Sequence, residues 1–228
     1  MKNNNFIVEV DPQTGFVTSI TNPQDEHNMN WCSDLGNWGA IQTTWQNIAS
    51  EQNKTEDAWR HHEEPLSFKE AKVYDTHMTA VYTNNKLNVT VNRFFNENGN
   101  FSERIVIKNI ADCVICVNRD NFGIELPFND KYTYADECMT NRCNTHIWCG
   151  YNTSWVNALK MGPSDINLGL VLTKGSFVSY RQTNCGHIGR GCFIFEPESI
   201  LLKSNEEYVL EWELFWHTGK KDFFEKLS

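Results

Sequence analysis

The chain has 228 residues, 13% of them aromatic and 21% charged, with a formal net charge of −9. That length can bury a full core, and all-β sandwiches of this size commonly form one domain. The acidic balance argues against nucleic acid or an anionic membrane surface as partner, since both need clustered Lys and Arg, and no stretch reaches the roughly 20 apolar residues of a membrane span.

The N-terminal MKNNNFIVEV is polar and passes directly into a strand pattern, so no leader is expected and the default location is cytoplasmic. Phe6 to Val10 and Phe16 to Thr21 flank Asp11-Pro-Gln-Thr-Gly15, a turn marked by Pro12 and Gly15, and predict an opening β-hairpin. Asn22 to Ala40 is loop-like and carries Trp31 and Trp38, which suit either core packing or a cleft. Ile41 to Ile48 is a further strand candidate. Ala49 to Pro65 is a polar excursion whose His61 and His62 suit the surface. Phe68 to Tyr74 and His77 to Thr83 are strand-like.

From Leu87 to Phe128 the pattern is clearest. Leu87, Val89 and Val91 alternate with Asn88, Thr90 and Asn92, so this segment is a strand with one dry face. Asn98-Gly99 centres a tight turn. Ile105 and Ile107 resume the alternation, Cys113 to Val117 predicts a third strand, and Ile124 to Phe128 a fourth. Together they read as a four-stranded meander. Asn129 to Tyr151 is then expected to be a long connection, the kind of segment that often carries function. Its Asp130, Tyr132, Asp136 and Glu137 are expected to form a solvated acidic loop.

Ser154 to Met161 predicts another strand, and Leu168 to Leu172 with Ser176 to Tyr180 a hairpin through Thr173-Lys-Gly175. Arg181 to Gly191 is a Gly-rich polar loop. Cys192 to Phe195 and Glu207 to His217 close the sheet. Phe223, Phe224 and Leu227 share one face of a short helix that Thr218 would cap.

Eight cysteines are present, but a chain of this length and apolar content needs no disulfide staples. Cys113 and Cys116, three apart on a strand, face opposite sides. Cys138, Cys143, His146 and Cys149 are the best zinc candidates, yet they lack the paired ligands of a zinc site; no metal and no cofactor are expected. There is no phosphate-cradling glycine loop and no nucleophile elbow.

Four features resemble the galactose-mutarotase-like β-supersandwich found N-terminal to the (α/α)6 catalytic domain of glycoside hydrolases and phosphorylases. They are the opening hairpin, the strand series with its Asn98-Gly99 turn, GIELPFNDKY at 123–132, and YVLEWELFWHTGKKDFF at 208–224. The resemblance implies an all-β fold of two large antiparallel sheets over 1–217. Residues 218–228 would be the start of a linker helix, and an (α/α)6 domain would follow in the intact protein. It implies a carbohydrate-binding or cleft-forming module, non-catalytic by itself, with no catalytic residue assigned.

Under that reading the sugar-contacting candidates are His146, Trp148, Tyr151, Trp155, Arg181, His187 and Arg190, because aromatic faces stack on sugars while polar groups bond hydroxyls. Two alternatives remain open. One is an aldose-1-epimerase activity, with His146 or His187 as acid and Glu211 or Glu213 as base. The other is a purely structural β-sandwich.

Overall fold

The computed structural model describes residues 1–42, 65–117, 122–132, 134–183 and 190–228. The Ile41–Ile48 strand candidate is described only at its start, and the 49–65 excursion, with His61 and His62, lies almost wholly outside these residues. The protein is an all-β sandwich of antiparallel sheets.

In chain order the strands are β1 (Ile7–Val10), β2 (Val17–Thr21), β3 (Ala40–Gln42), β4 (Ser67–Val73), β5 (His77–Thr83), β6 (Leu87–Phe95), β7 (Phe101–Asn109), β8 (Ile115–Val117) and β9 (Gly123–Pro127). After helix α1 (Ala135–Thr140) come β10 (Cys143–Trp148), β11 (Trp155–Lys160), β12 (Asn167–Lys174), β13 (Phe177–Gln182), β14 (Cys192–Pro197), β15 (Ile200–Leu202), β16 (Glu207–His217) and helix α2 (Lys220–Leu227).

The large sheet has eight strands in the order β10-β11-β12-β16-β7-β6-β5-β4. It consists of two meanders, β4 to β7 and β10 to β12, joined by the last strand. β16 pairs with β12 through Leu170↔Leu214 and with β7 through Leu210↔Ile105. The alternation seen in the sequence fixes which face is dry: Leu87, Val89 and Val91 are fully or almost fully buried, and each such side chain contributes about 1.5–3 kcal/mol. The smaller sheet, β13-β14-β9-β3, packs against that face, where Phe177 meets Trp212 at 5.9 Å between ring centroids. The β1–β2 hairpin closes one end, with Phe6 stacked on Trp216 at 4.8 Å. Trp31 and Trp38 are both fully buried, so they are core residues rather than cleft residues.

The four-stranded meander expected over 87–128 is only partly present. β6 and β7 pair as expected, but β8 pairs with β15, and β9 sits between β14 and β3 in the smaller sheet. All five residues of β9 are buried. A strand covered on both faces belongs inside a sandwich, not on a half-exposed meander. The expected hairpin through Gly175 is also absent, since β12 pairs in the large sheet and β13 in the small one. The chain changes sheets at Gly175, where φ is +88° and an added Cβ would sit 2.7 Å from Leu210 Cδ2.

The segment 129–151 is not one long connection, because it contains α1 and β10. Arg181 lies on β13 rather than in a loop. At the C-terminus Gly219, not Thr218, is the N-cap of α2; the Thr218 N–H donates to Asp222 Oδ2 at 2.8 Å, so the acid inside the first turn replaces a hydroxyl cap.

Candidate functional site at the edge of the large sheet

β10 ends the large sheet, so among the described residues one of its backbone edges lacks a strand partner. Asp130 covers that edge. Its Oδ2 accepts the Thr145 N–H at 3.1 Å and the Thr145 hydroxyl at 2.8 Å, while the Asn129 carbonyl accepts the Cys143 N–H. Far from forming a solvated acidic loop with its neighbours, Asp130 is fully buried. A buried carboxylate requires a counter-charge, and two guanidinium groups supply it: Arg142 at 3.1 Å from Oδ1 and Arg190 at 3.3 Å from Oδ2.

Tyr132 lies against the same two arginines. The guanidinium carbons of Arg142 and Arg190 are 4.1 Å and 5.5 Å from its ring centroid, and Arg190 Nη1 donates to the phenol oxygen at 3.0 Å. The hydrogen bond from Arg190, then that from Arg142, holds the phenol below the ordinary tyrosine range. Burial disfavours the Arg142 charge, but the interactions with Asp130, Cys138 and Tyr132 together outweigh it and raise the pKa. The Arg142 Nε is buried without a hydrogen-bond partner among the described residues. Two guanidiniums against one carboxylate leave one positive charge in excess, in a chain whose net charge is −9. Tyr132 is 46% exposed and the Arg190 side chain 41%, so solvent and solutes reach both.

The other end of β10 is aromatic. Trp148 stands opposite Trp155 of β11, and His146 opposite Asn157, so His146, Trp148 and Trp155 share the outer face of the sheet. Trp148 is 56% exposed. Trp155 is held edge-on to Phe223 and Phe224 of α2, 5.4 Å from each ring. Tyr151 follows β10 at a φ of 58°, with 63% of its surface exposed.

Four of the seven sugar-contact candidates therefore gather at this end of β10. Arg190 sits at the other end, with Asp130. Arg181 lies on the smaller sheet, where its Nε is 3.2 Å from Glu196. His187 is outside the described residues.

Sequence reading missed the paired role of Arg142 and the burial of Asp130. The available signal was the run Cys143-Asn-Thr-His-Ile-Trp148, whose Thr145, Ile147 and Trp148 favour a strand within the supposed loop.

The remaining chemistry is constrained by strand geometry. Cys143 is buried and His146 exposed, as positions three apart on a strand must be, so they cannot share a zinc ion. Among the described residues no group of three or more His, Cys, Asp or Glu is placed to hold a metal. Burial, with the nearby Glu196, pushes the Cys149 thiol up to about 12, which leaves it protonated and a poor nucleophile at neutral pH. The epimerase pairing of His146 with Glu211 or Glu213 is not formed. β10 and β16 are separated by β11 and β12, roughly 14 Å across the sheet, and Glu211 is bonded to Arg104 and Glu213 to Asn96, each at 2.6 Å.

No protein-family model matches the chain, and no curated protein does. Among solved structures it is similar to a polysaccharide lyase, at a TM-score of 0.74 and 25% identity over 100% of this chain and 35% of that one. It is more distantly similar to a putative kojibiose phosphorylase from the human microbiome (TM-score 0.46, 10% identity, 99% of this chain, 27% of that one). A 4-alpha-glucanotransferase from Thermococcus litoralis stands at the same level (TM-score 0.46, 10% identity, 93% of this chain, 36% of that one). All three are carbohydrate-active enzymes, and the chain spans about a third of their length. No helix among the described residues is long and apolar enough to cross a membrane.

Proposed function

We propose that this chain is the carbohydrate-contacting β-domain of a larger polysaccharide-processing enzyme, non-catalytic by itself, and that the β10 edge forms part of the substrate cleft. The observation that carries this reading is the likeness to a polysaccharide lyase over the whole of this chain but only 35% of that one. In this reading a separate domain, helical as in enzymes with an (α/α)6 barrel, follows α2 and supplies the catalytic groups.

The β10 edge suits such a role chemically. Trp148 and Tyr151 offer exposed rings for the C–H faces of sugars, and His146 offers a hydrogen-bonding edge beside them. At the far end, the surplus guanidinium charge of Arg190 and Arg142 and the Tyr132 hydroxyl suit an acidic substituent. A carboxylate there would displace solvent from Arg190 rather than disturb Asp130, whose own bonds are buried.

Titration of the chain with acidic and neutral oligosaccharides, followed by Trp fluorescence, tests the reading. Binding at the β10 edge is expected to be lost in Trp148→Ala. In Arg190→Ala it should weaken for acidic ligands alone, with no product formed from any of them. Silence toward every oligosaccharide would leave a structural domain and overturn the proposal.

A further inference from the structure

Side-chain amides occur in three separate stretches: Asn3-Asn4-Asn5, Asn22 with Gln24, and Asn96, Asn98 and Asn100. The fold brings them to one place. Asn3 Nδ2 donates to the Gly99 carbonyl at 2.9 Å, which ties the N-terminus to the β6–β7 turn. Trp216 Nε1 donates to the Asn5 carbonyl at 2.7 Å, which ties it to β16. Between them lies a cavity of about 500 Å³, within the size range of small-ligand pockets.

Its lining is amide-rich. Asn98, Asn100 and Gln24 contribute side-chain amides that make no hydrogen bond among the described residues. Phe215 and Trp216 supply apolar surface. Among the described residues its charged lining consists of Glu213 and Lys226. Lys226 is already committed to the Trp216 carbonyl at 2.8 Å and to Asp222 at 3.1 Å. Glu213 Oε2 accepts from Asn96 at 2.6 Å, which leaves its Oε1 for a donor.

Each free amide offers both a donor and an acceptor. A lining of such groups, with one carboxylate among them and backed by aromatic carbon, matches a ligand whose every polar group is itself donor and acceptor. Hydroxyls are such groups; phosphates and carboxylates, which only accept when ionised, are not. We propose that this cavity is a binding subsite for a neutral, polyhydroxylated sugar, separate from the β10 edge. It is carried by the amide lining and not by the β10 reading, so the two can fail independently.

The test is amide-detected NMR of the intact chain titrated with maltohexaose, cellohexaose and β-1,4-galactohexaose, and with a hexagalacturonate as the acidic comparison. At least one neutral probe is expected to shift the side-chain NH2 signals of Asn98 and Asn100. Removing both amides in N98A/N100A should weaken it about tenfold, and Glu213→Gln, which keeps the shape of the pocket, should also weaken it. Trp148→Ala should leave this binding unchanged. The proposal is overturned if no neutral probe shifts these signals, if the acidic probe shifts them more strongly than any neutral one, or if neutral binding there survives both N98A/N100A and Glu213→Gln.

Discussion

Glu103 provides the sharpest test of how this sandwich is held together. It lies on β7 directly opposite Arg93 on β6, and both side chains point inward and are fully buried. The carboxylate accepts from Arg93 Nε at 2.5 Å, from Trp38 Nε1 at 2.6 Å and from Trp212 Nε1 at 3.2 Å. Arg93 also donates to the Gly15 carbonyl at 2.5 Å, so the network joins the large sheet, the opening hairpin and the segment before β3.

Glu103→Ala strands a buried guanidinium, which costs about 3–5 kcal/mol. It also orphans two indole donors at about 1–3 kcal/mol each. These terms share one site and do not add fully, so a loss of about 4–6 kcal/mol is expected, a large part of the 5–15 kcal/mol typical of a domain. The double replacement Arg93→Met with Glu103→Leu removes both charges and should recover the part of the loss due to the stranded guanidinium, while the two indole donors stay unpaired. Urea unfolding followed by Trp fluorescence measures each value. If Glu103→Ala cost less than about 1 kcal/mol, the buried pair would not be the clamp described here.

Further outcomes follow from other contacts. Arg190→Ala removes the main hydrogen bond that holds the Tyr132 phenol down, so the phenolate absorbance should titrate at higher pH than in the parent; an unchanged titration would refute that contact. Asp25 is opposed by burial, yet the Lys160 hydrogen bond at 2.6 Å and the Met29 and His27 N–H groups keep its pKa below the usual value. It therefore adds stability that is present above about pH 4 and lost as pH falls through its lower folded value. Asp25→Asn should lower stability at neutral pH and flatten the acid limb of the stability curve, measured by urea midpoints across pH. Phe223 is fully buried on α2 and touches Trp155, Phe215 and His217. Phe223→Ala should cost about 3–5 kcal/mol and red-shift the Trp155 emission, because a two-turn helix does not hold without its packed face.

What the sequence alone determined was local. Alternation at Leu87, Val89 and Val91, and the Asn98-Gly99 turn, specify β6 and β7 and their dry faces, since a strand has a period of two and a tight hairpin tolerates few residues. The apolar spacing of Phe223 and Phe224 likewise marks α2. The inward phase of Arg93 and Glu103 was written there too, as two charges in positions the alternation reserves for the core.

Which sheet each strand joins was decided only by tertiary structure. β9 carries a pattern compatible with either sheet, and its partners come from Ala40–Gln42 and Cys192–Pro197, both far away in the chain. The burial of Asp130 was decided the same way. Its acidity reads as surface until Arg142 and Arg190, 12 and 60 residues away, close over it. Pairing and charge compensation are relations between distant segments, and they acquire an energy only when the chain brings those segments together.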